Sequence, residues 1–241
     1  MRLARAWTDD GVVTGEYLDG AVVTDDERYD VCEGSAELLA PTEPTALYCV
    51  GRNYAATLEK MDYERPEEPD FFVKPPASVL APETDIPYPT FSEEVTYAGE
   101  LAAVIGERAR DVAPTDVPDV VRGYTIVNDV DALDQPGRTA RKVFDGSAPL
   151  GPWIETDLDP HGIRMYTDID GDRRQEASTD QMLFDPFEVV AFLSERVTLE
   201  PGDVIAFGSP ANPGTIDPGD TIEITYEGIG TLRNGVTTPR R

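Results

Sequence analysis

Apolar residues in this chain come in runs too short to fill one face of a helix of ordinary length. Residues 46–50, 102–105, 124–127, 204–207 and 222–226 are each four or five residues long, carry β-branched or aromatic side chains, and end at polar residues, proline or glycine. Runs of that length and composition predict strands, several of them buried on both faces. Pro201-Gly202-Asp203 and Pro218-Gly219-Asp220 supply turns between them. In the first 45 residues, Asp-Gly pairs at 10–11 and 19–20 separate short alternating stretches, a hairpin pattern that predicts a small N-terminal β cap over 1–45 ahead of a main domain over 46–241. Helices are few. The clearest is Asp185 to Ser194, where Phe187, Val190, Ala191 and Leu193 share a face behind Pro186. The expected fold class is therefore mainly β (α+β), and 241 residues suffice for a sizeable core.

Two of the strand-like runs carry acids at their ends. Glu100 stands just before Leu101 to Ile105, and Asp129 just after Tyr124 to Asn128. Carboxylates held on rigid strands suit a hard, oxygen-preferring cation such as Mg²⁺, which takes one or two protein carboxylates and keeps waters for substrate to displace. Arg52, Asn53 and Tyr54 follow the apolar run 46–50 and place several donors at its mouth. Only three lysines occur among 20 basic residues, at 60, 74 and 142. The sole histidine, His161, lies in Asp159-Pro160-His161-Gly162 and reads as a solvated turn, so one chain cannot assemble a histidine triad or a histidine metal cluster.

With 47 acidic residues and a net charge of -27, the chain is expected to repel nucleic acid and anionic membranes. The acids are dispersed through a sequence of ordinary hydrophobic content, which predicts a globular protein adapted to high salt, where repulsion is screened within about 3 Å at 1 M. Cys32 and Cys49 form no Cys-x-x-Cys motif and are expected to be buried free thiols. The N-terminus shows no basic region followed by an apolar one, and no apolar run reaches the roughly 18 residues that span a bilayer, so a cytoplasmic protein is expected. The run at 208–214 reads as a turn near the site, not as a phosphate-cradling loop.

The order of motifs resembles the fumarylacetoacetate hydrolase family from about Pro44 onward. The matching elements are Gly51-Arg52-Asn53-Tyr54, Phe71 to Pro75, Tyr97-Ala98-Gly99-Glu100-Leu101, Gly123 to Asp129, Pro149 to Trp153, Leu199 to Ile205, Gly208-Ser209-Pro210, Pro218-Gly219-Asp220 and Gly228 to Asn234. The resemblance implies a rolled mixed sheet, a homodimer, and Mg²⁺ or Mn²⁺ at Glu100 and Asp129. It also implies a small 2-oxo or 1,3-dioxo acid substrate that is hydrolysed, decarboxylated or isomerised through an enolate. On the same ground Lys74 and Lys142 are the expected catalytic residues, and Arg52, Asn53, Tyr54, Gln135 and Thr179 the expected substrate-binding ones. Gln175 lies in the same element as Thr179.

Three departures stand out. Ala98 replaces the first glutamate of the Tyr-Glu-Gly-Glu-Leu motif, so one carboxylate ligand is missing. Thr57 and Lys60 occupy the places of a water-activating histidine and glutamate. Leu133 stands where arginine is usual, and the loop to Lys142 is short. These changes weaken hydrolysis most among the candidate reactions. They also raise the alternative of a fold kept after catalysis was lost, as a binding or partner subunit.

Overall fold

The computed structural model describes residues 1–62, 64–211 and 214–238. Residues 212 and 213, within the expected turn at 208–214, lie outside that set. The short apolar runs do form strands, and the largest sheet has 12 of them. Its centre is the antiparallel pair Gly99–Ile105 and Val121–Asn128, with Gly99 opposite Asn128 and Glu100 opposite Val127. On one side follow Val204–Ala206 and, parallel to it, Leu47–Gly51, which pairs antiparallel with Asp70–Lys74. On the other side lie Ala148–Glu155 and then the N-terminal hairpins. Arg2 pairs with Glu155 and Leu3 with Ile154, so the N-terminal strands continue the main sheet.

Every residue of Gly99–Ile105 is buried, because side chains alternate into two apolar layers. Leu101, Ala103 and Ile105 join one core with Met165, Ile224, Leu232 and Val189, contributed by the five-stranded sheet and the helix Pro186–Ser194. Ala102 and Val104 join the second core with Leu47, Cys49, Val127 and Leu150. A two-faced burial of this kind fixes register, since a slip of one residue would exchange the layers. The acids at the strand ends are thereby held in place.

The expected helix is present as Pro186–Ser194, with Asp185 as its N-cap and a reciprocal bond from the Asp185 backbone to Glu188. The short helices Ala55–Met61 and Arg138–Lys142 have no such sequence signature. Cys49 is buried as expected, whereas Cys32 is exposed, because it sits in the turn after Arg28–Asp30, outside the packed layers.

His161 is more than a solvated turn residue. Its Nδ1 lies 2.5 Å from Asp159 Oδ1 and its Nε2 2.6 Å from Asp185 Oδ2, so it ties its own turn to the helix cap. Burial works to lower its pKa, but the two carboxylates outweigh that and raise it above the ordinary value of 6.5. A raised pKa means the clamp contributes stability below the unfolded value and loses it as pH rises through the folded one. His161→Asn is therefore expected to lower the melting temperature at about pH 6 and to have little effect at about pH 9. Because the ring is 40% exposed, the effect at the lower pH is at most about 1 kcal/mol. Thermal melts of both proteins at the two pH values check this, and an equal loss at both would remove the charge from the account.

Candidate active site

Asp129 follows the last residue of Val121–Asn128, and its backbone N–H donates to Ala98 O at 2.9 Å, which locks the two strand ends together. Its carboxylate is buried between two ammonium groups. Lys74 Nζ lies 2.8 Å from Oδ1, and Lys142 Nζ donates to Oδ2 in a very short contact. Burial alone would raise the pKa of Asp129, but Lys142 and then Lys74 hold it below the usual carboxylate range. Lys74 also donates to Val130 O at 2.9 Å and Ser147 O at 2.5 Å, so its three donors all point to the chain itself. It is fully buried, and desolvation lowers its pKa.

Glu100 enters the same space from the neighbouring strand. The preceding Gly99 is required there, since a Cβ would lie 2.8 Å from both Ile224 Cγ2 and Thr167 Oγ1. Glu100 Oε2 accepts from Gly208 N at 2.9 Å. Gly208, at φ +90°, is in the left-handed region and would press a Cβ to 2.9 Å from Val50 O. Burial, and next the negative charge of Asp129, push the Glu100 pKa up to about 8.

Glu100, Asp129 and Lys142 line a 440 Å³ cavity. Ala98 leaves room beside Glu100, and Thr57, Ser209 and Pro210 close one side. Gln175 supports that side from behind, donating to Ser209 Oγ at 3.1 Å and Pro210 O at 2.8 Å. Asp131, Arg141, Lys142 and Phe72 make the opposite side, and Arg52, Arg138 and Gln135 complete the lining. A larger groove of 820 Å³ runs past Phe91 and Phe144, and among the described residues of its walls the charged side chains are Asp85 and Asp145, with no lysine or arginine. Convergent acids and bases single out the smaller cavity.

Of the residues predicted from sequence, Glu100, Asp129, Lys142, Arg52 and Gln135 line the cavity. Lys74 does not; it stands behind Asp129 as a positioning group. Asn53, Tyr54 and Thr179 are also turned away. Asn53 is fully buried, donating to Phe184 O and Phe207 O and accepting from Phe184 N, which makes it a cross-link between loops. Tyr54 is 1% exposed in the core. Thr179 Oγ1 accepts from Ile163 N at 3.0 Å, joining the chain just after Asp172–Ser178 to the chain just before Arg164–Ile169. Arg52, in the left-handed region at φ 60°, lines the cavity, whereas the two residues that follow it are buried.

Asp131, Asp70, Arg138 and Arg141 were not anticipated. Asp131 holds Arg141 through a two-pronged ion pair of 2.8 and 2.6 Å and lies 3.2 Å from Lys142 Nζ. Asp129 and Asp131 together outweigh the desolvation of Lys142 and raise its pKa. A cue was available: 129 and 131 are two apart, and 138, 141 and 142 share one face of a helical turn.

Glu100 and Asp129 offer the hard oxygen donors that Mg²⁺ or Mn²⁺ prefers, and the pKa of Glu100 is raised first by burial and then by the charge of Asp129, the second of which a cation would relieve. Among the described residues no group of three or more His, Cys, Asp or Glu side chains is placed to hold a metal ion. The pair fits a cation whose remaining positions are filled by water and substrate.

Residues 46–237 match the family model described as "Fumarylacetoacetate (FAA) hydrolase C-terminal". The chain is 35% identical to the mitochondrial oxaloacetate tautomerase FAHD2B of Bos taurus over 82% of its own length and 68% of that protein. It superposes on the crystal structure of 5-carboxymethyl-2-hydroxymuconate delta-isomerase from Mycobacterium smegmatis with a TM-score of 0.90 and 37% identity, covering 98% and 99% of the two chains. A maleylpyruvate hydrolase from Sphingobium sp. SYK-6, in complex with manganese(II) and pyruvate, gives a TM-score of 0.85 at 27% identity with both chains fully covered. This chain belongs to the fumarylacetoacetate hydrolase family. Its relatives include isomerases, tautomerases and hydrolases acting on small oxo acids. Among the described residues no helix is long and apolar enough to cross a membrane.

Proposed function

We propose that the protein is an enzyme acting on a small 2-oxo or 1,3-dioxo acid, isomerising or decarboxylating it through an enolate. The observation that carries this is Lys142, an ammonium with its pKa raised, at the wall of a cavity whose floor is the buried pair Glu100 and Asp129. Negative charge that develops on a substrate oxygen beside Nζ is stabilised without a proton having to move there. Asp129 keeps that ammonium charged and in place, and Lys74 keeps Asp129 in place. A divalent cation held by Glu100 and Asp129 would supply Lewis-acid polarisation of the oxo group. Thr57 argues against hydrolysis, because its hydroxyl donates to Ser209 O at 3.2 Å and no imidazole stands there to take a proton from water. The family resemblance supports a homodimer, and the acidic exterior, with its net charge of -27, suits a high-salt cytoplasm that screens it.

Calorimetry of Mg²⁺ and Mn²⁺ in high-salt buffer, with and without oxalate as an enolate mimic, tests the reading. Oxalate is expected to tighten metal binding. Affinity should rise with pH up to about 8 and then level off, since below that pH a proton must leave Glu100 before it can ligate. No binding up to millimolar metal at any pH would overturn the proposed metal site.

A further inference from the structure

We infer that Asn53 is a positioning residue, which locks the peptide between Phe207 and Gly208 so that its N–H points at the carboxylate of Glu100. The consequence for the site rests on the reading of Glu100 as a metal ligand. One planar unit carries both contacts, since the carbonyl of Phe207 and the N–H of Gly208 point to opposite sides of it. Asn53 Nδ2 donates to Phe207 O at 2.9 Å, and Gly208 N donates to Glu100 Oε2 at 2.9 Å. The orientation of the Asn53 amide is itself determined. Its Oδ1 accepts from Phe184 N at 2.8 Å, so Nδ2 faces Phe184 O, 3.2 Å away, and Phe207 O. Asn53 and Phe207 are both fully buried. Among the described residues, the Gly208 N–H is the one hydrogen-bond donor to Glu100.

The backbone does not hold this peptide by itself. Turning a peptide over changes ψ of the residue before it and φ of the residue after it, and here the residue after it is a glycine, which takes either sign of φ. Gly208 has to be glycine, because at φ +90° a Cβ would lie 2.9 Å from Val50 O and 3.1 Å from Asn53 Cβ. The same lack of a side chain removes the steric barrier to a flip. The chain on either side is anchored: Phe207 N donates to Leu101 O at 3.0 Å, and Gln175 donates to Ser209 Oγ and Pro210 O. Turning is thereby confined to the peptides at Gly208, and among the described residues Asn53 alone bonds the Phe207 carbonyl. Turned over, this peptide would present that carbonyl to a buried carboxylate and withdraw the donor that holds Glu100 Oε2 at the cavity wall.

Amide hydrogen exchange, followed by NMR on the isotope-labelled full chain without metal, reads the lock directly. The Phe207 N–H, bonded to Leu101 O, is the internal reference. In the unaltered protein both amides are expected to be protected. In Asn53→Ala, Gly208 should exchange about tenfold faster relative to Phe207, and Mg²⁺ affinity by calorimetry should fall about tenfold, the scale on which groups that orient a metal ligand matter. Asn53→Asp keeps an acceptor for Phe184 N and loses the amide donor. It should free Gly208 in the same way while Phe184 stays protected, and it carries the comparison if the alanine variant does not fold. Acceleration of Gly208 and Phe207 in step would overturn the lock and leave Asn53 a plain cross-link, as would a Gly208 amide that is unprotected in the unaltered protein. A freed Gly208 with unchanged Mg²⁺ affinity would overturn its bearing on the site. No Mg²⁺ binding by the unaltered protein would overturn the metal reading alone, because the exchange comparison needs no metal.

Discussion

Asp129→Asn is expected to reduce turnover of an oxo acid by on the order of a hundredfold to a thousandfold and to cost the fold stability as well. The side chain is nearly isosteric, so shape is kept while one buried negative charge is removed. Lys74 is then left fully buried with two carbonyl oxygens and no counter-ion, and Lys142 keeps only Asp131, 3.2 Å away. Breaking a buried ion pair from one side costs about 3–5 kcal/mol, because the abandoned charge remains desolvated. On the proposed reading the loss in rate has a different origin: the ammonium that would face a developing enolate is no longer fixed, and one of the two proposed metal ligands is gone. Thermal melts and single-substrate kinetics in high-salt buffer separate the two. Turnover equal to that of the unaltered protein would remove Asp129 from the chemistry, whatever the melt shows.

Lys74 and Lys142, equally plausible from sequence, occupy unlike places around this carboxylate. Scarcity drew attention to both, since three lysines stand against 17 arginines. Only the structure shows that one is sealed behind Asp129 and the other reaches the cavity. The core was legible for a related reason: a strand buried on both faces must be apolar along its length, so Leu101 to Ile105 and Tyr124 to Val127 declared themselves. The carboxylates at their ends followed.

The residues around the strand-end acids were only faintly legible. Asp70, Asp131, Arg138 and Arg141 are ordinary members of an acid-rich and arginine-rich surface composition, and the helix Arg138–Lys142 is too short to show a period. Motif order brought Asn53 and Tyr54 to the site, and the structure places both buried, off the cavity lining. Of Arg52-Asn53-Tyr54, only Arg52 lies on the cavity wall.

Ala98→Glu should raise affinity for Mg²⁺ by about tenfold to a hundredfold, the scale on which metal sites respond to changes in their supporting groups. The cavity has the space, because Ala98 lies on its wall beside Glu100. The electrostatic cost is visible beforehand. Glu100 already sits at about 8 through burial and the charge of Asp129, and a further carboxylate would push it higher and weaken the metal-free fold. A cation removes that repulsion, so the substituted protein should melt lower than the unaltered one without metal and recover more when metal is added. Asp131 makes the result informative. It already supplies a third carboxylate to the cavity wall, but Arg141 holds it in a two-pronged pair. Stronger metal binding together with higher turnover would mean that the two-carboxylate site is a weakened form of a three-carboxylate one. Stronger binding with lower turnover would mean that the space beside Ala98 belongs to the substrate, and that the alanine is part of what this protein selects.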